Sequence, residues 1–372
     1  MRMLTKLDLH AVLVSLPALK AVSNQLQALM LRGCQMYARN SSHFVTGWDS
    51  LVTLQLKHTC TPDWIGAVNM PALQLLDISS FTNVCSRPFC LGAFAAGCPK
   101  CEFAAFNPGL CEFTDGGSCH IGPPSCRAFL SLKTACLAWM PSKLRGGPDV
   151  WLAAPPCLEL PPTVTRLECM SCQPPAVGFD GTERGYFHLH AMLSMAAGCI
   201  KAGVPLQELR LHHCATFKDI DDEGYTIEPS GKDHKMFYMP LSATLHGLRS
   251  LDLEHSEACK IRTVNEVVAA APALTSLVLP IVGLPCACDE IIDPIECSGL
   301  RSLKLLYKRP SDRLTAKKVS LQLKNVAGLR VQLREISSDQ LWEGDQYNFT
   351  ITKGMHDGIA VPAMAEVDVT FL

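Results

Sequence analysis

The sequence predicts an α/β fold: a solenoid of stacked strand-turn-helix units, with a parallel sheet along one side. Two observations carry this. A short motif of alternating apolar residues returns many times in one register, and the stretches between its copies suit a chain that doubles back as a helix. The fullest copy is Leu206-Gln207-Glu208-Leu209-Arg210-Leu211-His212-His213-Cys214. Leu209 and Leu211 alternate there with Glu208, Arg210 and His212, so a short strand buries one side and presents polar groups on the other.

Each copy has the form L-x-x-L-x-L. The first is Leu4, Leu7, Leu9, and the second is Leu26, Leu29, Leu31 with Cys34 after it. Leu51, Leu54, Leu56 and Leu73, Leu76, Ile78 follow. Two degenerate copies read Cys98, Cys101, Phe103 and Leu132, Ala135, Leu137. Val164, Leu167, Cys169, with Cys172, then leads to the copy at Leu206. Three more begin at Leu248, Leu274 and Leu300, making about eleven. Their first positions lie 22, 25, 22, 25, 34, 32, 42, 42, 26 and 26 residues apart. Six of these spacings fall within the ~20–29 residues that one such unit occupies.

The intervening stretches supply the return. Residues 263–271 form an apolar helical run that Pro272 stops, and residues 186–201 form a longer one closed by Gly203 and Pro205. A third, over 11–22, is expected to be interrupted by Pro17. Where the spacing swells, the extra residues are expected as rim loops over 107–128, 140–162, 173–185 and 217–240. Repeat insertions gather on one face, and partners often bind there. After residue 310 four segments alternate at period two: 319–323, 329–333, 347–351 and 366–370. The first two are expected to pair as a hairpin through Asn325 to Gly328. The expected organisation is therefore a repeat domain over 1–310, with long insertions between 107 and 240, and a β-rich C-terminal cap over 311–372.

On these motifs the chain resembles the leucine-rich-repeat superfamily, in particular its cysteine-containing subtype, as in F-box repeat proteins and ribonuclease-inhibitor-like horseshoes. Cys34, Cys172 and Cys214 stand at that subtype's asparagine-or-cysteine position. The resemblance covers roughly residues 3–308 and implies a horseshoe with a concave parallel sheet. It also implies a role in protein recognition, such as the substrate-recognition part of a ubiquitin ligase adaptor. No F-box is recognisable. The match begins inside a repeat at Leu4, as expected of a chain without that module or of a fragment whose cap lies upstream.

Composition narrows the function classes. Of 372 residues, 48% are hydrophobic and 18% charged, which indicates a folded chain. A net charge of −2 gives no pull toward nucleic acid or an anionic membrane, and basic residues form no stripe with aromatics. No apolar run reaches the ~18 residues of a membrane span. Residues 11–22 could serve as a signal core, yet the repeat accounts for them equally. Nineteen cysteines, odd in number and irregularly spaced, argue for buried free thiols in a reducing compartment, the cytoplasm or nucleus, over a disulfide framework.

Several constellations invite chemistry. Cys98-x-x-Cys101, with Cys119, His120 and Cys126 beyond it, could hold zinc through thiolates. Against this, Cys98 and Cys101 occupy leucine positions of a repeat and would point into the core. Cys169 and Cys172 meet the same objection. Cys286 and Cys288 are followed by Asp289 and Glu290, whose negative charge is an unfavourable setting for a thiolate. Asp219-x-Asp221-x-Glu223-Gly224 opens like a calcium loop but has Ser230 where a bidentate Glu is needed. His188 and His190, like His212 and His213, are spaced so that they do not share a face. Gly-rich phosphate loops and hydrolase or zincin motifs are missing, so no enzyme, catalytic residue or cofactor is expected.

The interest therefore moves to the third, fifth and seventh positions of each repeat, which face outward. Successive copies place there Arg166, Glu168 and Met170; Glu208, Arg210 and His212; and Asp252 and Glu254 with Ser250; Lys304 belongs to the last copy. With strands about 4.8 Å apart, Arg166 is expected to face Glu208, Arg210 to lie between Glu168 and Asp252, and His212 to approach Glu254. These residues form the expected docking surface for a protein partner, in a non-enzymatic module of unassigned oligomeric state.

Overall fold

The computed structural model describes residues 4–37, 47–60, 69–82, 89–106, 111–112, 126–139, 159–171, 176–177, 183–184, 187–212, 214–215, 245–254, 261–280, 295–296, 298–308, 319–324, 328–336 and 367–371. They divide into two compact units. The first comprises Met1–Lys143, Ala154–Cys172 and Lys201–Leu206, and the second Leu144–Ala153, Gln173–Ile200 and Gln207–Leu372. Each is built as a leucine-rich-repeat solenoid.

In the first unit the outward and inward alternation of the repeat produces seven parallel rungs. They are β1 (Lys6–His10), β2 (Ala28–Arg32), β3 (Thr53–Cys60), β4 (Leu75–Thr82), β5 (Phe103–Phe106), β6 (Thr134–Trp139) and β7 (Arg166–Ser171). The registers align like with like: Leu7 with Leu29, Leu29 with Leu54, and Leu54 with Leu76. Stacked in this way, Leu29, Leu31, Leu54, Leu56 and Leu76 are fully buried. No single copy could exclude water from its own leucines; each is covered by its neighbours.

A turn precedes most rungs. The N–H of the first repeat position donates to the carbonyl three residues earlier: Leu51 to Trp48 at 3.1 Å, Leu73 to Met70 at 3.0 Å and Val164 to Pro161 at 3.1 Å. Cys101 donates to Cys98 at 3.1 Å in the same way. Together with the pairing of Leu76 with Ala104 and Ile78 with Phe106, this corrects the fifth copy. It reads Cys101, Ala104, Phe106, three residues later than expected, and Cys98 belongs to the turn. Burial still governs, because Cys98, Cys101, Ala104 and Phe106 are all inaccessible to solvent.

The short polar donor closing a rung is structural. Cys34 Sγ donates toward Leu9 O at 3.4 Å and Arg32 O at 3.5 Å. Thr59, in the same place one repeat later, donates to Leu31 O at 3.1 Å and Lys57 O at 3.0 Å. Both side chains are buried, so these bonds satisfy the thiol and the hydroxyl, adding a second donor to Arg32 O and Lys57 O, which also accept from Ala11 N at 2.7 Å and Gly33 N at 2.8 Å.

The second unit carries five rungs: β8 (Glu208–Leu211), β9 (Ser250–Asp252), β10 (Ser276–Pro280), β11 (Ser302–Lys308) and β12 (Arg330–Ile336). Leu251, Leu277 and Leu303 stack in register, and Leu303 pairs with Val331. The strand at 330–336 is therefore a further rung, with Gly328 in the first position. It does not form the expected hairpin with 319–323. Val319–Lys324 lies instead between Ile295–Glu296 and Val367–Phe371 in a separate parallel sheet. The reason is geometric: the segment after β11 must return along the solenoid before the next rung can be laid down, so successive strands here become parallel neighbours in two different sheets.

The returns are part helix, part strand. Helix α1 (Leu16–Val22) carries Pro17 in its first turn, so that Pro17 starts the helix where interruption was expected. Short parallel strands Leu13–Ser15 and Gln35–Tyr37 pair beside it, since a spacing of 22 residues leaves little room for a long helix. Helix α2 (Leu91–Ala96) belongs to the first unit, and α3 (Leu189–Lys201) to the second apart from its last residue. Helix α4 (Ile261–Ala270) buries Val264, Val267 and Val268 at helical spacing, and its last carbonyl accepts from Leu245 N at 2.8 Å. Among the described residues no helix is long and apolar enough to cross a membrane.

Candidate functional site

Positions three, five and seven alternate with the buried leucines, although the fifth positions of β5 and β6, Ala105 and Cys136, are themselves covered. In the second unit they assemble a charged array. Arg210 Nε donates to Asp252 Oδ2 at 2.8 Å, joining the fifth positions of β8 and β9 as the sequence led us to expect. The other oxygen, Asp252 Oδ1, accepts from the backbone N–H of Glu254 at 2.9 Å. Asp252 is only 8% exposed, so its carboxylate exchanges hydration for these two donors. The carboxylate competes with a sheet partner for the Glu254 N–H, and β9 ends at Asp252.

Glu254 was expected to meet His212. Its Oε2 accepts from Lys304 Nζ at 3.3 Å. Lys304 sits on β11, two rungs from β9, and reaches across β10, where the equivalent residue is Val278. An apolar residue on the intervening rung offers Lys304 no carboxylate, and the lysine stem is long enough to lie over it. Both partners are largely shielded, with side-chain exposures of 20% and 15%. His212 is half-buried and Glu208 exposed on β8.

In the first unit Arg166 pairs with Glu168 two residues along the same strand, both on the outward face of β7. The expectations joining Arg166 to Glu208 and Glu168 to Arg210 spanned the two units. The side chain of Met170 lies outside the described residues. Looser pairs join Arg32 to Asp8 at 3.9 Å and Lys57 to Asp77 at 3.8 Å.

One device recurs that sequence reading missed. Asp77 occupies the fifth position of its repeat, as Asp252 does. Its Oδ1 accepts from Ser79 N at 3.2 Å and Ser79 Oγ at 2.6 Å. Here too the backbone departs from regular pairing: the register of β3 with β4 shifts after Gln55 and Asp77. In both units an aspartate at position five captures the N–H two residues on and has a cation from an adjacent rung. The signal was legible as an Asp two residues before the end of the outward-facing run, but nothing in its spacing said that the carboxylate would bend back to the chain.

Of the cysteine constellation, three members are described. Cys98, Cys101 and Cys126 are buried, and Cys101 Sγ donates to Phe103 O at 3.2 Å. Loss of hydration on burial pushes the Cys98 and Cys101 thiols up to about 12, which favours the neutral form over the thiolate that zinc binds. Cys119 and His120 lie outside the described residues. Among those described, no three His, Cys, Asp or Glu side chains are grouped to hold a metal ion.

No family model matches the chain, and no curated protein matches it. Among solved structures it is similar to an internalin (inlF) from Listeria monocytogenes, at 12% identity and a TM-score of 0.32, over 86% of this chain and 84% of that one. The fold of each unit, an α/β leucine-rich-repeat solenoid, rests on the ladder registers themselves.

Proposed function

We propose that the chain is a non-enzymatic interaction module that binds a protein partner through the outward face of its ladders and the inserted loops. The observation that carries this reading is the way Arg210, Asp252, Glu254 and Lys304 are held. They are fixed relative to one another by ion pairs on a rigid parallel sheet, so a partner meets a preformed pattern of charge and the complex loses little side-chain freedom on forming. Glu208 and His212 belong to the same proposal in the second unit, as do Arg166, Glu168 and Met170 in the first. Neither nucleic acid nor a membrane is the proposed partner. Buried thiols such as Cys34, Cys98 and Cys101 support a reducing compartment such as the cytoplasm.

The narrower readings have less behind them. Substrate recognition in an F-box ligase adaptor rests on the sequence resemblance, and zinc binding on the spacing of Cys98 to Cys126. A cap within 311–372 is our proposal: β12 there is itself a rung, and the rest of that segment is proposed to cover it where Val331 is only half-buried.

The test is an affinity capture with the intact chain against a variant carrying Arg210→Glu and Asp252→Lys. The double change keeps an ion pair between β8 and β9 but inverts the charge each presents. Partners held by the intact chain and released by the variant are expected. An unchanged set of partners removes this face from the proposal.

A further inference from the structure

We propose that the strand starts of the second unit form a basic shelf that holds an acidic, extended segment of a protein partner. Arg249 and Arg301 supply its charge, and the row Ser250, Ser276, Ser302 supplies hydroxyls behind them. The shelf borders the face already proposed for docking and rests on that reading; what it adds is the chemistry of the segment held.

The first unit shows how far side chains at the second repeat position reach. Glu102 and Lys133 occupy that position on adjacent rungs, just before β5 and β6, and join at 2.9 Å. In the second unit the same column reads Arg249, Thr275, Arg301. Its backbone is pinned rung to rung. Arg249 O accepts from Thr275 N at 2.9 Å and Ser276 N at 3.0 Å, and Thr275 O accepts from Arg301 N at 2.8 Å and Ser302 N at 3.0 Å. Two exposed cations therefore stand two rungs apart with a neutral residue between them. The hydroxyl of Thr275 is turned to the backbone, donating to Arg249 O at 3.1 Å. Among the described residues no ion pair joins either arginine. The carboxylate that Glu102 offers Lys133 has no counterpart in this column.

Beside the arginines the hydroxyls lie in register. Ser250 pairs with Ser276, and Ser276 with Ser302, at the third position of β9, β10 and β11. All three are half-buried. A serine hydroxyl can donate to a carboxylate, and its small size lets a segment lie close to the sheet. Glu208 stands at one end of the row beside Ser250, and exposed Arg330 at the other beside Ser302. Positive character is thus greatest toward β11 and β12. Further along the strands Asp252 and Glu254 are held by Arg210 and Lys304, so their charge is answered locally.

Dimensions set the kind of segment. With rungs about 4.8 Å apart, Arg249 and Arg301 start about 10 Å from one another. In an extended segment laid across the rungs, residues two apart face the same way at about 6.6–6.8 Å. Flexible arginine stems close the difference, and each guanidinium can hold a carboxylate through two parallel N–H donors. The shelf therefore fits an acidic residue at every second place. Nucleic acid fits it less well, because none of the residues forming the shelf is aromatic and able to stack on a base.

Fluorescence anisotropy with the full chain tests the assignment. The probe is a labelled nonapeptide alternating glutamate with serine, compared with the same peptide carrying glutamine for glutamate. Binding of the glutamate peptide alone, weakening as salt is raised, is expected. Arg249→Glu and Arg301→Glu are each expected to weaken it at least about tenfold. Lys133→Glu makes the same change of charge in the paired column of the first unit, and is expected to leave binding within about threefold. Reversing both arginines is expected to confer binding of a lysine-for-glutamate peptide that the original chain does not hold. Circular dichroism confirms that each variant is folded, since these side chains are exposed. Failure to hold the glutamate peptide at about 1 mM overturns the shelf. So does an affinity indifferent to both arginine changes, or a single-stranded oligothymidylate that binds more tightly than the peptide. Each of these results leaves the wider docking face standing, since that is lost only if partner capture is unchanged by Arg210→Glu with Asp252→Lys.

Discussion

Arg210 and Asp252, 42 residues apart in the chain, meet at 2.8 Å because the repeat brings the fifth positions of two rungs side by side. The arginine is partly exposed, at 41%, and the aspartate is nearly covered, at 12%. The two ends of the pair are therefore unequal. Solvent screens Arg210, so a double-mutant cycle between Arg210→Ala and Asp252→Ala is expected to give a coupling of only about 0.5–1 kcal/mol. Asp252→Ala itself is expected to cost about 1–3 kcal/mol, because it also strips the acceptor from Glu254 N. Urea denaturation of the four proteins measures both quantities. Strict additivity would remove the pair from the account.

Cys34 and Thr59 make equivalent bonds one repeat apart, and that equivalence can be tested by exchange. Thr59→Val keeps the shape and deletes the donor, removing two buried hydrogen bonds, to Leu31 O and Lys57 O, although Lys57 O keeps Gly33 N at 2.8 Å. A loss of about 1–2 kcal/mol is expected. Thr59→Cys copies what the previous repeat uses and is expected to lose less than half as much. If valine and cysteine prove equally costly, the hydroxyl contributes by volume and not by hydrogen bonding.

The buried thiols predict a pH dependence of definite sign. Cys98 and Cys101 are half-ionised at pH 9.0 when unfolded, and burial pushes that midpoint up to about 12 when folded. Below pH 9 both states hold the protons and stability is unaffected. Between pH 9 and 12 the unfolded chain releases protons that the folded chain retains, so stability falls by up to about 1.4 kcal/mol per pH unit for each thiol. The chain with Cys98→Ala and Cys101→Ala is expected to lose stability less steeply over that window, whatever its starting value. Equal slopes in calorimetry at pH 8.5, 9.5 and 10.5 would refute the burial argument. In the native protein at pH 8, neither thiol is expected to react with a thiol-specific reagent until denaturant is added.

Gly47 precedes the buried Trp48 with φ at +88°, a conformation that side chains resist. A Cβ there would also collide with Asn24 Oδ1. Gly47→Ala is expected to destabilise by about 1–3 kcal/mol. Adding Asn24→Ala relieves the collision but not the backbone strain, so recovery should be partial. A thermal melt unchanged by Gly47→Ala would contradict the local geometry.

Much of the ladder was legible because leucine leaves a strong mark. Ten of the eleven copies read from the sequence lie in the register the strands adopt. The exception at Cys98 shows how the method fails: Ala104 replaces the middle leucine, and an apolar triplet three residues earlier mimics the motif better than the true one. The rung at Arg330–Ile336 was hidden for a related reason, with Gly328 where a leucine would announce the repeat. The candidate site was only partly legible. The Arg210–Asp252 pair follows from adjacent rungs, but Glu254 with Lys304 skips a rung, and no nearest-neighbour rule would join them. The carboxylates of Asp77 and Asp252 turning back to their own backbone were not visible in any spacing.

By itself the sequence determined the repeating strand, its buried and outward faces, and the stacking of leucines that neighbouring repeats must cover. Those follow from a period of two and from the free energy of removing apolar surface from water, both local to the chain and repeated often enough to outweigh chance. Only the tertiary structure decided which outward charges meet and which carboxylates bend to the backbone. Those depend on distances between rungs, on the reach of individual side chains and on competition for the same donor, and none of these is written in residue order.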